Sequence, residues 1–310
     1  MRVISAAEID EVLDFPSLID ALAEAFVGGF AAPTRHHHAL AGGATHLVMP
    51  AWTTGGGGFV GDKIVNVFPD NGKIGRPAVS GLYILQSGET GEPLAAIDGT
   101  RLTHWRTAAA SGLAARFLAR QDARRLLMVG AGALAPFLVR AHRAVRPINE
   151  VAIWNRNPSS AEALAAKLAS EGLRVTVADD LEAATRQADV ISCATLSSAP
   201  LIAGAWLAPG QHLDLVGAFN HQMREADNEA LRRARVFVDT EAALHEGGDV
   251  TLALAAGAID RSHVVADLAA LCAGAPGRGG TGEITLFKSV GAAIEDLAAA
   301  VLVWRKTLGG

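Results

Sequence analysis

The stretch "LLMVGAGALAPF", residues 126–137, restricts the fold of this chain more than any other. Four apolar residues suited to a strand run into Gly130, Gly132 and Ala135 at the spacing G-x-G-x-x-A, and a helical segment follows. Each small residue has a physical task. Gly130 permits a tight turn, Gly132 lets backbone approach a ligand, and Ala135 lets helix pack closely on strand. The start of the helix offers free N–H groups and a positive dipole end, which suit a pyrophosphate. Spaced glycines alone say little. Set between a strand and a helix, with another strand following, they predict a dinucleotide-binding βαβ unit.

The surrounding chain has the matching texture. After Arg124 come "RRLLMVG", "ALAPFLVRAHRAV", "EVAIWNR", "SAEALAAKLASEG", "LRVTVAD", "LEAATRQA" and "DVISCAT", strand and helix in alternation. "HLDLVGA" and "ARVFVDT" then read as strands covered on both faces. The expected class is α/β with a doubly wound parallel sheet. Upstream the pattern differs. Residues 1–30 read as a short strand and a helix, with Ser5 as N-cap and Glu8 as its capping-box partner. "THLVMPAW", "FVGDKIVNVFP", "VSGLYILQ" and "EPLAAID" are short strands of an antiparallel or mixed sheet, divided by turn clusters. Residues 101–120 return to helical spacing, and "SVGAAIEDLAAAVLVWRKTL" is a long helix expected to leave the second domain and pack back on the first.

Composition narrows the partners. The chain has 310 residues, 50% of them hydrophobic, enough for a large core in two domains or one large one. A net charge of −5 supplies no concentrated basic surface, which argues against nucleic acid and for a small molecule. No uninterrupted apolar run reaches the roughly 18 residues of a membrane span, and the N-terminus lacks the apolar core of a signal peptide. Cys193 and Cys272 stand apart, without metal-ligand spacing, so a reduced, cytoplasmic setting is the default expectation.

The second strand of the βαβ unit ends in "IWNRNPSS". A dinucleotide-binding unit usually places an acid for the ribose 2′-OH about 20 residues beyond the glycines. Here stand Asn155, Arg156 and Asn157. A carboxylate would repel a 2′-phosphate and a guanidinium would hold one, so NADP(H) is favoured over NAD(H).

Three cations of the first domain are candidate substrate ligands: Arg35, Lys63 and Arg106. Lys63 is flanked by Val60, Ile64, Val65 and Val67 in a strand, and its ammonium must reach a partner or a cleft because an unpaired buried charge is too costly. Together the three suit a substrate carboxylate. Lys63 can also act as a proton donor if burial or neighbouring cations lower its pKa. Spacing does not show that they converge. His36, His37 and His38 invite a metal reading, but adjacent strand residues point to opposite faces, and no metal is expected. No nucleophile elbow occurs. His221, in "HLDLVGAFNHQMRE", has no orienting partner in sequence and reads as a loop residue at the mouth of a site.

Blocks such as "HLVMPAW", "GDKIVNVFPDN", "GEPLAAIDGTRLTHWRTAAASGLAA", "VGAGALA", "VAIWNRNPSSAEALA", "VGAFNHQMREAD", "VFVDTEAALHEGGDV" and "EITLFKSVG" resemble the ornithine cyclodeaminase and mu-crystallin family over nearly the whole length. The resemblance implies a Rossmann domain, residues 116–291. It also implies a discontinuous α+β domain, residues 1–115 and 292–310, that binds substrate and mediates homodimerisation. It implies that Arg35, Lys63 and Arg106 grip the substrate carboxylate and that residues 155–157 form the cofactor-ribose loop. Candidate cofactor contacts are then Gly130, Gly132, Ala133, Leu134, Asn155, Arg156, Asn157, Thr195, Val216, Gly217 and Ser289.

Cyclodeaminases of the family place an Asp directly after the small residues of the block corresponding to "VGA", where this chain has Phe219. Without that carboxylate the chain is most similar to the ketimine reductase branch. The implied reaction is NAD(P)H-dependent reduction of 1-pyrroline-2-carboxylate to L-proline, or of 1-piperideine-2-carboxylate to L-pipecolate. Lys63 would be the catalytic residue and Phe219 would pack on the substrate ring. The alternatives within the resemblance are an ornithine or lysine cyclodeaminase, an amino-acid dehydrogenase, and a non-catalytic NADP-dependent ligand binder like mu-crystallin.

Overall fold

The structure is a computed structural model describing residues 1–54 and 58–308. It divides into two compact units, Met1–Thr107 with Ala292–Gly310, and Ala108–Gly291. This division and the boundary expected at 115/116 fall on the same helix; residues 309 and 310 of the expected C-terminal segment lie outside the described residues.

The first unit opens with β1 (Arg2–Ile4), α1 (Ala6–Val12) and α2 (Phe15–Gly28). The capping box forms as expected: Ser5 accepts from the Glu8 amide and Glu8 accepts from the Ser5 amide. α2 buries Phe15, Leu18, Ile19, Leu22 and Phe26, one stripe at helical period. Then come β2 (Phe30–Ala31), β3 (His36–Ala39), β4 (Thr45–Thr53), β5 (Phe59–Val67), β6 (Val79–Ser87) and β7 (Pro93–Asp98). They form a seven-stranded sheet in the order β1-β7-β6-β5-β4-β2, with β3 also on β4. Only β1 on β7 is parallel among these pairings, so the sheet is mixed. The last helix of the chain, Ala293–Leu308, lies on α2 and on β4, β5 and β6.

Alternation along β5 decides what each side chain meets. Gly61, Lys63 and Val65 take the buried positions, while Asp62, Ile64 and Asn66 take the other face. A lysine therefore stands at an inward position of a packed sheet. Helix α3 (Gly99–Leu118) follows, and the division between the units falls within it.

The second unit contains β8 (Arg125–Val129), α4 (Ala135–Val145), β9 (Glu150–Trp154), α5 (Pro158–Ala169), β10 (Arg174–Val177), α6 (Leu181–Gln187), β11 (Val190–Cys193) and β12 (His212–Leu215). It continues with α7 (Asn228–Arg233), β13 (Arg235–Val238), α8 (Ala243–Glu246), α9 (Gly248–Ala255), β14 (Val264–Asp267), α10 (Leu268–Cys272) and β15 (Thr285–Lys288); the last helix is α11. Eight strands pair in the order β10-β9-β8-β11-β12-β15-β13-β14, all in parallel. The chain winds one way through β8, β9 and β10 and the other way from β11, so the strand order reverses between β8 and β11. Such a reversal opens a crevice at the carboxyl ends of the strands.

β11, β12 and β15 are buried along their whole length. The polar groups this traps find partners: Asp214 accepts from Ser111 and Ser192 and is hydrogen-bonded to Nε2 of His142. Arg146 and Arg278 donate to the last carbonyls of α3, on Arg116, Leu118 and Ala119.

Candidate active site

The glycine turn sits at the crevice. Gly130 has φ 106°, and its amide donates to the Trp154 carbonyl. A Cβ there would lie 2.6 Å from the Ala194 carbonyl oxygen, so the strained turn and the close approach of β11's loop both require glycine. Gly132 is the opposite case: a Cβ would meet nothing within 4 Å, which leaves its backbone open to a ligand. Ala135 is buried at the start of α4. One cleft is lined by Gly130, Gly132, Asn155, Arg156, Asn157 and Thr195 together. The amide oxygen of Asn155 accepts from the Ala131 amide at 3.3 Å, and its nitrogen donates to the Asn157 carbonyl, so the ribose-loop candidate is tied to the phosphate-turn candidate. Arg156 is exposed, with no hydrogen bond or ion pair among the described residues.

Ala133, Leu134, Val216, Gly217 and Ser289 do not line that cleft. Val216 and Ser289 are buried, their amides spent on the carbonyls of Cys193 and Leu215. Sequence reasoning missed Leu196 and Ser197, which do line it. Leu196 is a large apolar residue left 74% exposed, a signal visible only once the loop is built.

In the first unit Lys63 and Arg106 converge on the last helix. Lys63 Nζ lies 2.9 Å from Asp296 Oδ1, and Arg106 Nε lies 3.1 Å from the same oxygen. Arg106 Nη1 reaches Glu295 Oε2 at 2.7 Å. All four residues are buried. Burial, then the Arg106 charge, push the Lys63 ammonium down to about 8, against the upward pull of Asp296. A lysine so placed can give up a proton near neutral pH.

Arg35 lies directly before β3, whose first residue His36 pairs with Val48, next to Met49. Met49 pairs with Lys63 and Lys63 with Tyr83. Directly opposed residues share a face, which puts Met49, Lys63 and Tyr83 in one row, with Arg35 at the edge of β3 outside the paired ladder. Tyr83 Oη and Asp296 Oδ2 are buried without a hydrogen-bond partner among the described residues, two polar atoms that a ligand can satisfy.

The sequence reading missed Tyr83, Glu295 and Asp296. Its missed signal was two acids in "AAIEDLAAAVLVW", a helix too apolar to turn both of them to water. In the second unit Phe219 is 49% exposed on the loop after β12, and His221 Nδ1 lies 3.4 Å from Thr251 Oγ1. His36, His37 and His38 form the exposed strand β3.

A doubly wound parallel sheet with a glycine turn at its switch point defines a dinucleotide-binding class of α/β protein. Residues 2–310 match the model of the ornithine cyclodeaminase/mu-crystallin family, and the chain belongs to that family. It is 38% identical to a Delta(1)-pyrroline-2-carboxylate reductase of Colwellia psychrerythraea over 99% of both chains. A solved Delta(1)-pyrroline-2-carboxylate reductase of Thermococcus litoralis, in complex with NADH and L-proline, superposes with a TM-score of 0.94 at 32% identity, covering 100% of this chain and 98% of that one. An archaeal alanine dehydrogenase dimer with bound NAD superposes with a TM-score of 0.93 at 32% identity, covering 100% and 96%.

Proposed function

We propose that this chain is a nicotinamide-dependent reductase of a cyclic ketimine carboxylate, with 1-pyrroline-2-carboxylate as substrate and L-proline as product. The observation that carries the reading is the buried Lys63, held by Asp296 beside Arg106 and brought to about 8. A ketimine reductase needs cations for a carboxylate and one acid able to protonate the ring nitrogen at neutral pH. The two named reductases support the reading. So does Phe219, which stands where a cyclodeaminase of the family has its Asp.

In this mechanism Arg35 and Arg106 hold the substrate carboxylate in a reactive pose. Lys63 gives a proton to the imine nitrogen, which makes C2 electrophilic. A nicotinamide dinucleotide held by the Gly130 turn and residues 155–157 would supply hydride to C2, completing the change from C=N to CH–NH. Phe219 offers an apolar face to the ring.

The open Gly132 backbone and the cleft of Gly130, Asn155, Arg156, Asn157 and Thr195 fit a dinucleotide. Arg156, exposed and available, favours a 2′-phosphate and hence NADP(H), although the solved relatives above hold NADH and NAD.

A homodimer is part of the proposal. The sheet face opposite α11 carries Val48, Ile64 and Leu82 in one cross-strand row, with Trp52 and Val60 in another. Trp52 and Leu82 are large apolar residues left exposed. No helix among the described residues is long and apolar enough to cross a membrane. Both cysteines are free thiols, which supports a reducing, cytoplasmic setting.

The test is oxidation of NADH and NADPH by the purified protein given the five- or the six-membered imine, with ornithine plus NAD⁺ as the cyclodeaminase control. Turnover of 1-pyrroline-2-carboxylate is expected. Absence of turnover with both rings overturns the reading.

A further inference from the structure

The second unit holds a carboxylate for which the mechanism above has no use. Glu225 lies in the segment between β12 and α7 and is fully buried. Its Oε1 accepts from the Thr195 amide at 2.6 Å and from the Thr195 hydroxyl at 2.8 Å. Its Oε2 accepts from the Gly217 amide at 2.7 Å. Thr195 lines the dinucleotide cleft on the loop after β11, and Gly217 lies two residues past the end of β12. One side chain therefore ties together two neighbouring strand ends at the crevice. The fit is close: a Cβ on Gly217 would fall 2.1 Å from the Thr195 carbonyl oxygen and 2.4 Å from Glu225 Oε1.

The carboxylate is itself built in. Asp249 of α9 accepts from the amides of Glu225 and Ala226 through Oδ1 at 2.8 and 2.9 Å. The Glu225 carbonyl accepts from the amides of Leu201 and Ile202. The groups facing Glu225 from other elements are Asp249 on α9, Lys288 on β15 and Cys193 on β11. Lys288 is fully buried, with Nζ 3.6 Å from Asp249 Oδ2, and the thiol of Cys193 is pushed well above its usual range, so it stays neutral.

We infer that Glu225 is a positioning residue for the dinucleotide, whose ionised carboxylate ties Thr195 to the loop after β12 and so fixes Thr195 in the conformation that receives the cofactor. This rests on the dinucleotide reading of the cleft.

The chemistry explains why ionisation matters. All three groups on the carboxylate are donors, and a protonated Glu225 would present an O–H to one of them. Two opposing influences act on its proton. Burial and the nearby Asp249 charge favour the neutral acid, while Lys288 and the Thr195 donors favour the carboxylate, and the balance falls at about 7. The folded value lies above the ordinary one, so Glu225 is ionised above about 7 and takes up a proton as the pH falls through it. The clamp then loosens on the acid side.

The experiment is direct binding of NADH to the full-length protein, followed by nicotinamide fluorescence from pH 6 to 9. NADH carries no group that titrates in this window. The dissociation constant of the wild type is expected to rise as the pH falls through about 7. Glu225→Gln is expected to bind about 10-fold more weakly at pH 8 and to lose the pH dependence, because its amide NH₂ faces donors at every pH. Asp249→Asn removes the charge that favours the neutral acid, so its midpoint is expected at lower pH than that of the wild type. A wild-type profile flat or inverted across pH 7 overturns the inference even if Glu225→Gln does not fold, and so does an Asp249→Asn midpoint that stays in place. If the wild type binds neither NADH nor NADPH, the dinucleotide reading itself fails. NADH binding with unchanged Glu225→Gln affinity and profile sinks the positioning role alone.

Discussion

A lysine ammonium sharing one carboxylate oxygen with a guanidinium is useful chemistry only if its proton can leave. At Lys63 burial and Arg106 loosen that proton and Asp296 retains it, and the outcome near 8 sets the expected pH behaviour. With Lys63 as the proposed acid, turnover should hold below about 8 and fall as the pH rises through it. Lys63→Met should lower kcat by about 10²- to 10⁴-fold, measured as NADPH oxidation with the cyclic imine. Asp296→Asn removes the influence that raises the Lys63 pKa, so the alkaline limb of its kcat profile should move to lower pH. A limb that does not move would assign the profile to another group. At the other site, Arg156→Asp should shift preference from NADPH toward NADH by at least 10-fold in kcat/KM, and an unchanged ratio would remove Arg156 from cofactor choice. Lys63 was legible in the sequence because a charge inside an apolar strand must be explained. Its partner Asp296 was not: two acids in so apolar a helix signal burial, but nothing in "AAIEDLAAA" says what they face. Glu225 in "MREADN" carried even less signal, and its role exists only once two distant loops meet on it.

Helices show the same division between local pattern and tertiary completion. The span of α3 follows from its Ala- and Leu-rich spacing, yet the carbonyls at its end are satisfied by side chains far along the chain. Arg146 donates to the Arg116 and Ala119 carbonyls, Arg278 to that of Leu118, and Thr285 Oγ1 also to Leu118. Two guanidiniums there also complement the negative end of the helix dipole. Arg278 further donates to the Gln211 and Glu283 carbonyls, so it holds the starts of β12 and β15 beside the helix end. Arg278→Met should therefore destabilise the protein by about 1–3 kcal/mol in denaturant titration, because several part-buried carbonyls lose a charged donor together. A loss under about 1 kcal/mol would show that water replaces the cap.

The main strands of both sheets were readable because alternation and apolar runs persist over enough residues. β3, β14 and β15 were not, although the readable β10 to β13 are no longer than these: β3 is mostly histidine, and β15 enters between β12 and β13 although it comes last in sequence. The histidines of β3 show what pairing adds. His36 and His38 alternate onto the face that also carries His46, the partner of His38, a relation invisible in the run itself. Among the described residues no group of His, Cys, Asp or Glu is disposed to hold a metal ion.

For the molecule as a whole, the first unit poses a solvation problem. α11 covers one face of its sheet, and the other face presents Val48, Ile64 and Leu82 in one row, with Trp52 and Val60 in another beyond the intervening Pro50, Asp62 and Ile84. Trp52 and Leu82 are exposed and the other three half-buried, on strands whose inner face is already packed, and this is the surface the proposed dimer would cover. An isologous dimer would bring the same patch against itself, so one substitution enters the interface twice. Ile64 is the most informative position, central in its cross-strand row and turned away from Lys63 and Val65 on the same strand. Ile64→Glu should convert a dimer into a monomer in light scattering at micromolar concentration. The far-UV circular dichroism should not change, because the inward face of β5, with Gly61, Lys63 and Val65, is left intact. A wild type that is itself monomeric, or an Ile64→Glu protein that remains dimeric, would place association elsewhere and leave this face as ordinary surface.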